Sequence, residues 1–307
     1  MAERECVRAG RPLVSIITIN YNQAATTRQF LDSCAELTYP NYEIIVVDNA
    51  SEPALADSID LQSYARVRLV RSATNLGFAG GNNLGMQEAT GDFFFIVNND
   101  TELNATLLDD LLLPFSQNEQ IGVTCPKIRY YDSPTVIQYA GYSPMNMFTG
   151  TAVPIGYRQT DNGAFNQPGT THFAHGCAMM VRRAVVERVG RFAERFFLYY
   201  EELDWSQRIR DAGYLIQYQP TGSILHKESV SVGQFNPLKT YYMTRNRILF
   251  MRRHCSVVQQ VVFCAFFVLC VAPKHLLGYV LTGRLDHANA FTKGMAWNLT
   301  TSSASPV

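Results

Sequence analysis

Gly91-Asp92-Phe93-Phe94-Phe95-Ile96-Val97-Asn98-Asn99-Asp100 is the stretch on which the fold turns. Five large apolar residues run without alternation, as in a strand buried on both faces, and then stop at two amides and a carboxylate. In an open α/β sheet such a stop is the carboxyl end of a strand, where ligands bind. A carboxylate there can hold a divalent cation against a phosphate. The competing reading is a strand followed by an Asn/Asp turn, and this stretch alone leaves both open.

Working outward, Leu13–Ile19 reads as a first buried strand ending in Asn20-Tyr21-Asn22. A helical segment from about Ala25 to Glu36 follows and is broken by Tyr39-Pro40-Asn41. Glu43–Val47 is the next strand, running out into Asp48-Asn49-Ala50-Ser51, and Val67–Val70 is a third. Asn75–Asn83 is a glycine- and amide-rich turn leading into a helix through Ala89. Strands alternating with helices make a mostly parallel sheet with right-handed crossovers. From Ile121 to about Pro168 the pattern weakens into turns rich in Tyr, Pro, Gly and Asn, which reads as a loop-rich acceptor-side region. Order returns at His175–Val181 and Arg183–Val189.

The bulk properties narrow the classes. The chain has 307 residues, 47% hydrophobic and 17% charged, enough for one large α/β domain with a smaller attachment. Lys+Arg and Asp+Glu both number 26, so no global basic field recruits nucleic acid, and an anionic ligand must be held locally. The seven cysteines form no CxxC pair, which points to a reducing compartment and to neither a disulfide frame nor a zinc site. Met1–Arg11 is polar and of mixed charge, unlike a secretory signal. The Asn49, Asn104 and Asn298 glycosylation triplets are accordingly taken as chance.

Four constellations can carry chemistry. Asp48, after an apolar strand, can accept hydrogen bonds from a base imide or a ribose hydroxyl, or can merely cap a turn. Asn75–Asn83 can cradle a phosphate or sugar, because glycines let backbone N–H groups approach a ligand; it lacks the GxGxxG and GxxxxGK[ST] patterns, and a flexible helix-capping turn explains it as well. In Phe196–Arg208 an aromatic run delivers Glu201, Glu202 and Asp204 into the first turn of a helix ending near Gly213. Glu201 and Asp204 share a face, Glu202 points about 100° away, and Arg208 can pair with Asp204. Acids also favour a helix N-terminus on electrostatic grounds alone. His226-Lys227 follows a strand-like segment, where His226 is a metal ligand or a structural histidine.

Taken in order, these motifs resemble the family 2 glycosyltransferases, particularly the rhamnosyltransferase-like branch. The resemblance rests on Val14–Asn22, Val46–Ser51, Asn75–Asn82, Asn98-Asn99-Asp100, Gly176, Tyr200–Asp204 with Arg208 and Gly213, His226, and Tyr241–Asn246. It implies a GT-A type fold: a Rossmann-like mixed, mostly parallel sheet flanked by helices, here with a C-terminal hydrophobic helical extension. It implies an inverting, metal-dependent transfer from a dTDP- or UDP-type sugar donor, with rhamnose as the first candidate, to a glycan or lipid-linked glycan acceptor in cell-surface polysaccharide synthesis. It places Asp48 on the nucleobase and Asn98-Asn99-Asp100 at the family's DxD motif, with Asn where the first Asp is usual. Asp100 and His226 then take Mg2+ or Mn2+. Asn20, Asn22, Asn75, Gly77, Gly80, Asn82, Asn98 and Asn99 line the nucleotide-sugar side. Glu202 falls where the family has the catalytic Asp, one methylene longer, and Asp204 is the alternative base.

The domain reading is a flexible N-terminus (1–11), a catalytic domain (12–235) and a membrane-associating extension (236–307). In the extension, Val261–Ala272 is twelve apolar residues long, flanked by Arg252-Arg253-His254 and by Lys274-His275. Twelve is short of the roughly 20 needed to span a bilayer, so an in-plane or re-entrant helix at the cytoplasmic face is expected, continued by Leu276–Leu281, with a transmembrane span and a buried core or dimer contact as the alternatives. A nucleotide-sugar-binding relative without turnover and a nucleotidyltransferase are the competing functions; the second usually needs a basic triphosphate loop, which Asn20–Gln23 does not supply. A dinucleotide dehydrogenase fits least, because the glycine turn lacks the fingerprint and follows the third strand.

Overall fold

The computed structural model describes residues 10–64, 66–227 and 236–302. Most of the expected flexible N-terminus, Cys6 and the expected domain boundary at 235 lie outside those residues. β1 (Val14–Asn20), β2 (Tyr42–Asn49), β3 (Val67–Ser72) and β4 (Phe93–Val97) form a parallel half-sheet in the order β3-β2-β1-β4. Their near-continuous apolar runs are buried because helices cover the faces: α1 (Ala24–Ala35) and α2 (Gly77–Glu88) cross between them.

The second half of the sheet is mixed. It comprises β5 (Thr101–Leu103), then α3 (Leu107–Gln117), β6 (Ile121–Tyr130), β7 (Ser133–Tyr139), β8 (Gly169–Thr171) and β9 (Ala178–Arg182). Then come α4 (Arg183–Val189), α5 (Glu201–Asp211) and β10 (Leu215–His226). β9 runs antiparallel to β4, and β10 lies between β6 and β5. The sheet is thus mixed as expected, with the parallel pairing concentrated in the N-terminal half. The loop-rich reading of 121–168 is corrected at its start, since β6 and β7 form a hairpin there. Pro126 and Pro134 interrupt the strand pattern in sequence, but Pro126 sits next to an irregularity in the β6–β10 register, where the ladder tolerates it.

The extension consists of α6 (Pro237–His254), α7 (Val257–Leu281) and α8 (Leu285–Thr300). A second apolar core containing Phe173, Phe196, Leu203, Phe250, Phe263 and Phe267 welds these helices to the loops before α5. α7 is continuous, about 37 Å long at 1.5 Å per residue, with a π turn at Phe267–Val271 just before Pro273, a residue that cannot donate to the helical ladder. The twelve-residue length reading therefore falls short: by length and composition α7 can cross a membrane. Phe263, Phe267 and Val271 are nonetheless packed on the domain, while Val258, Val261, Leu269, Leu277 and Leu281 stand 60–76% exposed on the remaining surface.

Candidate active site

The carboxyl ends of β1, β2 and β4 converge on one edge, and β10 brings its own last residue there. His226 is register-paired with Thr101, the residue after Asp100. That pairing places His226 Nε2 3.1 Å from Asp100 Oδ1. Both atoms are buried, yet neither meets the alignment of a hydrogen bond. On the far side of the ring, Nδ1 donates to Gln138 Oε1 at 2.7 Å, which leaves the Nε2 lone pair for a ligand. Two electron-rich atoms facing each other in this way fit a cation between them. No group of three His, Cys, Asp or Glu side chains forms a closed metal cage among the described residues. Two protein ligands completed by phosphate oxygens is the pattern expected of Mg2+ or Mn2+ at a diphosphate. Burial opposes charge on the His226 ring, but Cys177 and Asp100 outweigh it and raise its pKa, so a cation bound at Nε2 would take the place of a proton there. His175, by contrast, is held neutral, pushed down to about 3 by burial and by the neighbouring His226 charge.

The amides beside Asp100 divide into two kinds. Asn98 is partly exposed, and its N–H donates to the Cys177 carbonyl at 2.9 Å. Asn99 is buried and donates to Thr27 Oγ1, which in turn donates to Asn20 Oδ1, both at 2.8 Å. Asn20 closes that network with a 2.8 Å bond to Ser51 Oγ. Asn22 is exposed, with φ at 56°, and accepts from the Glu52 N–H.

Asp48 is fully buried and already engaged. Oδ1 accepts from the Ser51 N–H at 3.1 Å and Oδ2 from the Leu55 N–H at 3.0 Å. Its carboxylate fixes the loop after β2, and each oxygen keeps acceptor capacity beyond these backbone bonds.

The glycine-rich segment is corrected. It is the body of α2, not a loop ahead of it. Gly81 and Gly85 let α2 lie directly on the sheet, since a methyl on Gly85 would come within 2.4 Å of Ile17. Gly80 packs under Leu76, and Asn82 is buried and donates to the Phe78 carbonyl. Gly77, at φ +68°, admits the Phe197 carbonyl, which accepts from the Phe78 N–H at 2.7 Å and the Ala79 N–H at 3.3 Å. These helix-start donors serve a protein carbonyl, not a phosphate. Asn75 Oδ1 caps the Gly77 N–H at 2.8 Å and accepts from Asn49 at 3.1 Å.

Phe197, Tyr199 and Tyr200 all have φ between 64° and 72°, a strained turn that launches α5. Glu201 is buried and Glu202 partly exposed, and each has one inaccessible oxygen without a hydrogen-bond partner. Burial raises the Glu202 carboxyl to about 7, where it can exchange a proton near neutral pH. Burial, and then the Glu202 charge, raise Glu201 well above the carboxylate range. Glu202 is tied to the motif through the two residues before β9: a methyl on Gly176 would sit 3.7 Å from its Cβ, and the Cys177 carbonyl accepts from the Asn98 N–H. Asp204 differs entirely. Its oxygens take Arg253 Nε at 2.7 Å and His254 Nε2 and Arg208 Nε at 2.9 Å each. Burial alone would raise its pKa, but His254, Arg208 and Arg253 prevail and hold it low. The expected Asp204–Arg208 pair is present, while Asp204 as an alternative base is not supported by this geometry.

The Glycosyl transferase family 2 model matches residues 15–190, more than half of the chain. The chain belongs to glycosyltransferase family 2. It is 26% identical to the N-acetylglucosaminyl-diphospho-decaprenol L-rhamnosyltransferase of Mycobacterium tuberculosis, over 72% of this chain and 78% of that protein. It is 24% identical to a low-salt glycan biosynthesis hexosyltransferase of Haloferax volcanii, over 77% and 74%. Among solved structures it resembles a mannosyltransferase from Pyrobaculum calidifontis in complex with GDP-Man and Mn2+ (TM-score 0.58, 18% identity, 95% of this chain and 82% of that one). It also resembles S. aureus TarS in complex with UDP-GlcNAc (TM-score 0.57, 16% identity, 90% and 79%). These likenesses show the GT-A fold.

The family 2 match ends before Glu202 and His226, so their placement rests on the geometry above. Two residues of this glycosyltransferase were visible in sequence only as a branch-like segment. Asn246 Nδ2 donates to the Phe196, Leu198 and Tyr199 carbonyls at 2.7–2.9 Å, and Arg245 grips those of Arg195 and Phe196. Together they hold the strained turn. The signal was a buried polar pair on an otherwise packed helix, and Gln138, which orients His226, carried no signal at all.

Proposed function

We propose that this glycosyltransferase is inverting and metal-dependent. In this reading it moves a hexosyl group, rhamnose first among candidates, from a dTDP- or UDP-type donor to a hydroxyl of a glycan or lipid-linked glycan in cell-surface polysaccharide synthesis. The observation that carries the reading is the unsatisfied Asp100–His226 pair at the end of β4. Asp100 and His226 would hold Mg2+ or Mn2+, which when bound neutralises charge developing on the leaving diphosphate. Asn98 offers a partly exposed amide beside them. Asp48, Asn20 and Asn99 act one layer back, fixing the loops that border the donor.

Glu202 is assigned as the base. Its carboxylate removes the acceptor hydroxyl's proton as that oxygen attacks the anomeric carbon from the face opposite the diphosphate, which inverts configuration. The pKa near 7 suits this work, whereas the two guanidinium groups and the His254 imidazole bonded to Asp204 would make it a poor proton acceptor. The mycobacterial relative is named for a diphospho-decaprenol acceptor, and the exposed apolar face of α7 supports placing this chain on the cytoplasmic membrane surface. Replacing Glu202→Gln should lower kcat by roughly 100- to 10,000-fold while nucleotide binding persists. Turnover near wild type would remove Glu202 from the mechanism.

A further inference from the structure

Between α6, α7 and α8 lies a cavity of about 320 Å3, within the size range of small-molecule sites. Tyr200, the last residue of the strained turn before Glu201-Glu202, forms part of its wall. Phe267 and Val271, the two ends of the π turn in α7, supply an apolar side. Lys239, Arg247 and His275 also line it, and among the described residues no carboxylate does. Among the described residues neither Lys239 nor Arg247 has an acidic partner, while burial and the Arg247 and Lys274 charges lower the His275 pKa and keep its ring neutral. Arg247 is the most telling: one N–H donates to the Thr149 carbonyl, while Nε is buried without a partner. Leaving a guanidinium N–H buried and unpaired is costly unless an anion completes it.

The surroundings narrow that anion. A free inorganic ion needs no apolar wall, and an extended acidic peptide needs a groove along an edge. Here the cationic pocket lies under a helix whose opposite surface exposes Val258, Val261, Leu269, Leu277 and Leu281. His275, on the same helix, is exposed, so the pocket reaches the surface beside that apolar face. The charge offered by α6 and the hydrocarbon offered by the exposed surface of α7 are thus neighbours. Arg247 can bind two phosphate oxygens with its planar fork, and Lys239 supplies a mobile point charge.

We infer that this cavity binds the phosphate or diphosphate head of a membrane-embedded long-chain lipid whose glycan is the acceptor. The inference rests on the transferase reading above and gives that reading its acceptor subsite. A head group held beside Tyr200 lies next to the turn that positions Glu202, so the sugar it carries is presented to the base from the membrane side.

The test uses the full chain and three vesicle types: phosphatidylcholine alone, phosphatidylcholine with a long-chain isoprenyl phosphate, and phosphatidylcholine with phosphatidylglycerol at equal surface charge. Co-sedimentation should show binding to the isoprenyl phosphate vesicles at least tenfold tighter than to either of the others. Lys239→Gln and Arg247→Gln should each reduce that preference severalfold while retaining binding to plain phosphatidylcholine. Equal binding to the phosphatidylglycerol vesicles would show charge attraction only and overturn the proposal, as would variants that keep the full preference. Displacement by millimolar inorganic phosphate without loss of affinity for the isoprenyl chain would assign the pocket to free phosphate and likewise overturn it. If Arg247→Gln does not fold, Lys239→Gln decides alone. Mn2+-dependent nucleotide binding, measured on the same preparations, reports on the donor side separately, so loss of lipid preference with intact nucleotide binding sinks this inference without touching the transferase reading.

Discussion

Asp100 and Asp204 are both buried aspartates with a histidine Nε2 about 3 Å away, and they behave as opposites. Asp204 is saturated: two guanidinium groups and an imidazole converge on it from α5 and the end of α6. Asp100 faces one imidazole in a geometry that satisfies neither partner. A saturated buried carboxylate is an architectural fastener, here tying the C-terminal helices to α5. An unsatisfied one holds stability in reserve for a ligand. The pair shows that burial and proximity do not by themselves mark a site; unfinished coordination does.

The comparison breaks most easily at Asp204. Asp204→Ala strands Arg208, Arg253 and His254 in the interior, and losing one partner of a buried ion cluster costs about 3–5 kcal/mol. A denaturant melt should show that loss, and a change below about 1 kcal/mol would mean that the cluster is not the fastener described.

A smaller, pH-dependent effect sharpens the contrast at Glu202. Its folded-state pKa is raised to about 7, so ionising it in the folded protein costs stability. Below the unfolded carboxyl value that cost is absent; it grows as pH rises and is complete above about 7. Glu202→Gln should therefore melt at a higher temperature than wild type at pH 8, and the gap should close by pH 4. Asp204 has the opposite sign, its pKa being lowered, so its contribution is present at neutral pH and fades only as acid protonates it. Transfer in the wild type should rise with pH through about 7 as the Glu202 carboxylate forms. A flat profile between pH 6 and 8 would contradict the assignment.

Much of the parallel half-sheet was legible because β1, β2 and β4 are largely apolar runs that end in or just before amides and carboxylates. The glycine-rich segment misled, since glycine reads as a turn in sequence, whereas α2 uses Gly81 and Gly85 to approach Ile19 and Ile17 closely. Asp48 is ambiguous for a related reason. A carboxylate at a strand end has one appearance in sequence whether it binds a ligand or, as here, caps Ser51 and Leu55. β6 was hidden by Pro126, and α7 by reading only its most apolar twelve residues. The grip of Asn246 on the turn before Glu202 joins residues some 50 positions apart, which no local pattern can reveal.

The smallest expected stability effect belongs to Asp100, which makes it the sharpest test. Asp100→Asn removes no satisfied hydrogen bond of its Oδ1, so its stability should stay within about 1 kcal/mol of wild type. The decisive measurement is calorimetric binding of UDP and of dTDP, with and without Mn2+, to wild type and to this variant. Mn2+ should strengthen binding of the preferred nucleotide by at least tenfold in wild type and by less than twofold in Asp100→Asn. Equal enhancement in both proteins would show that Asp100 and His226 do not hold the cation.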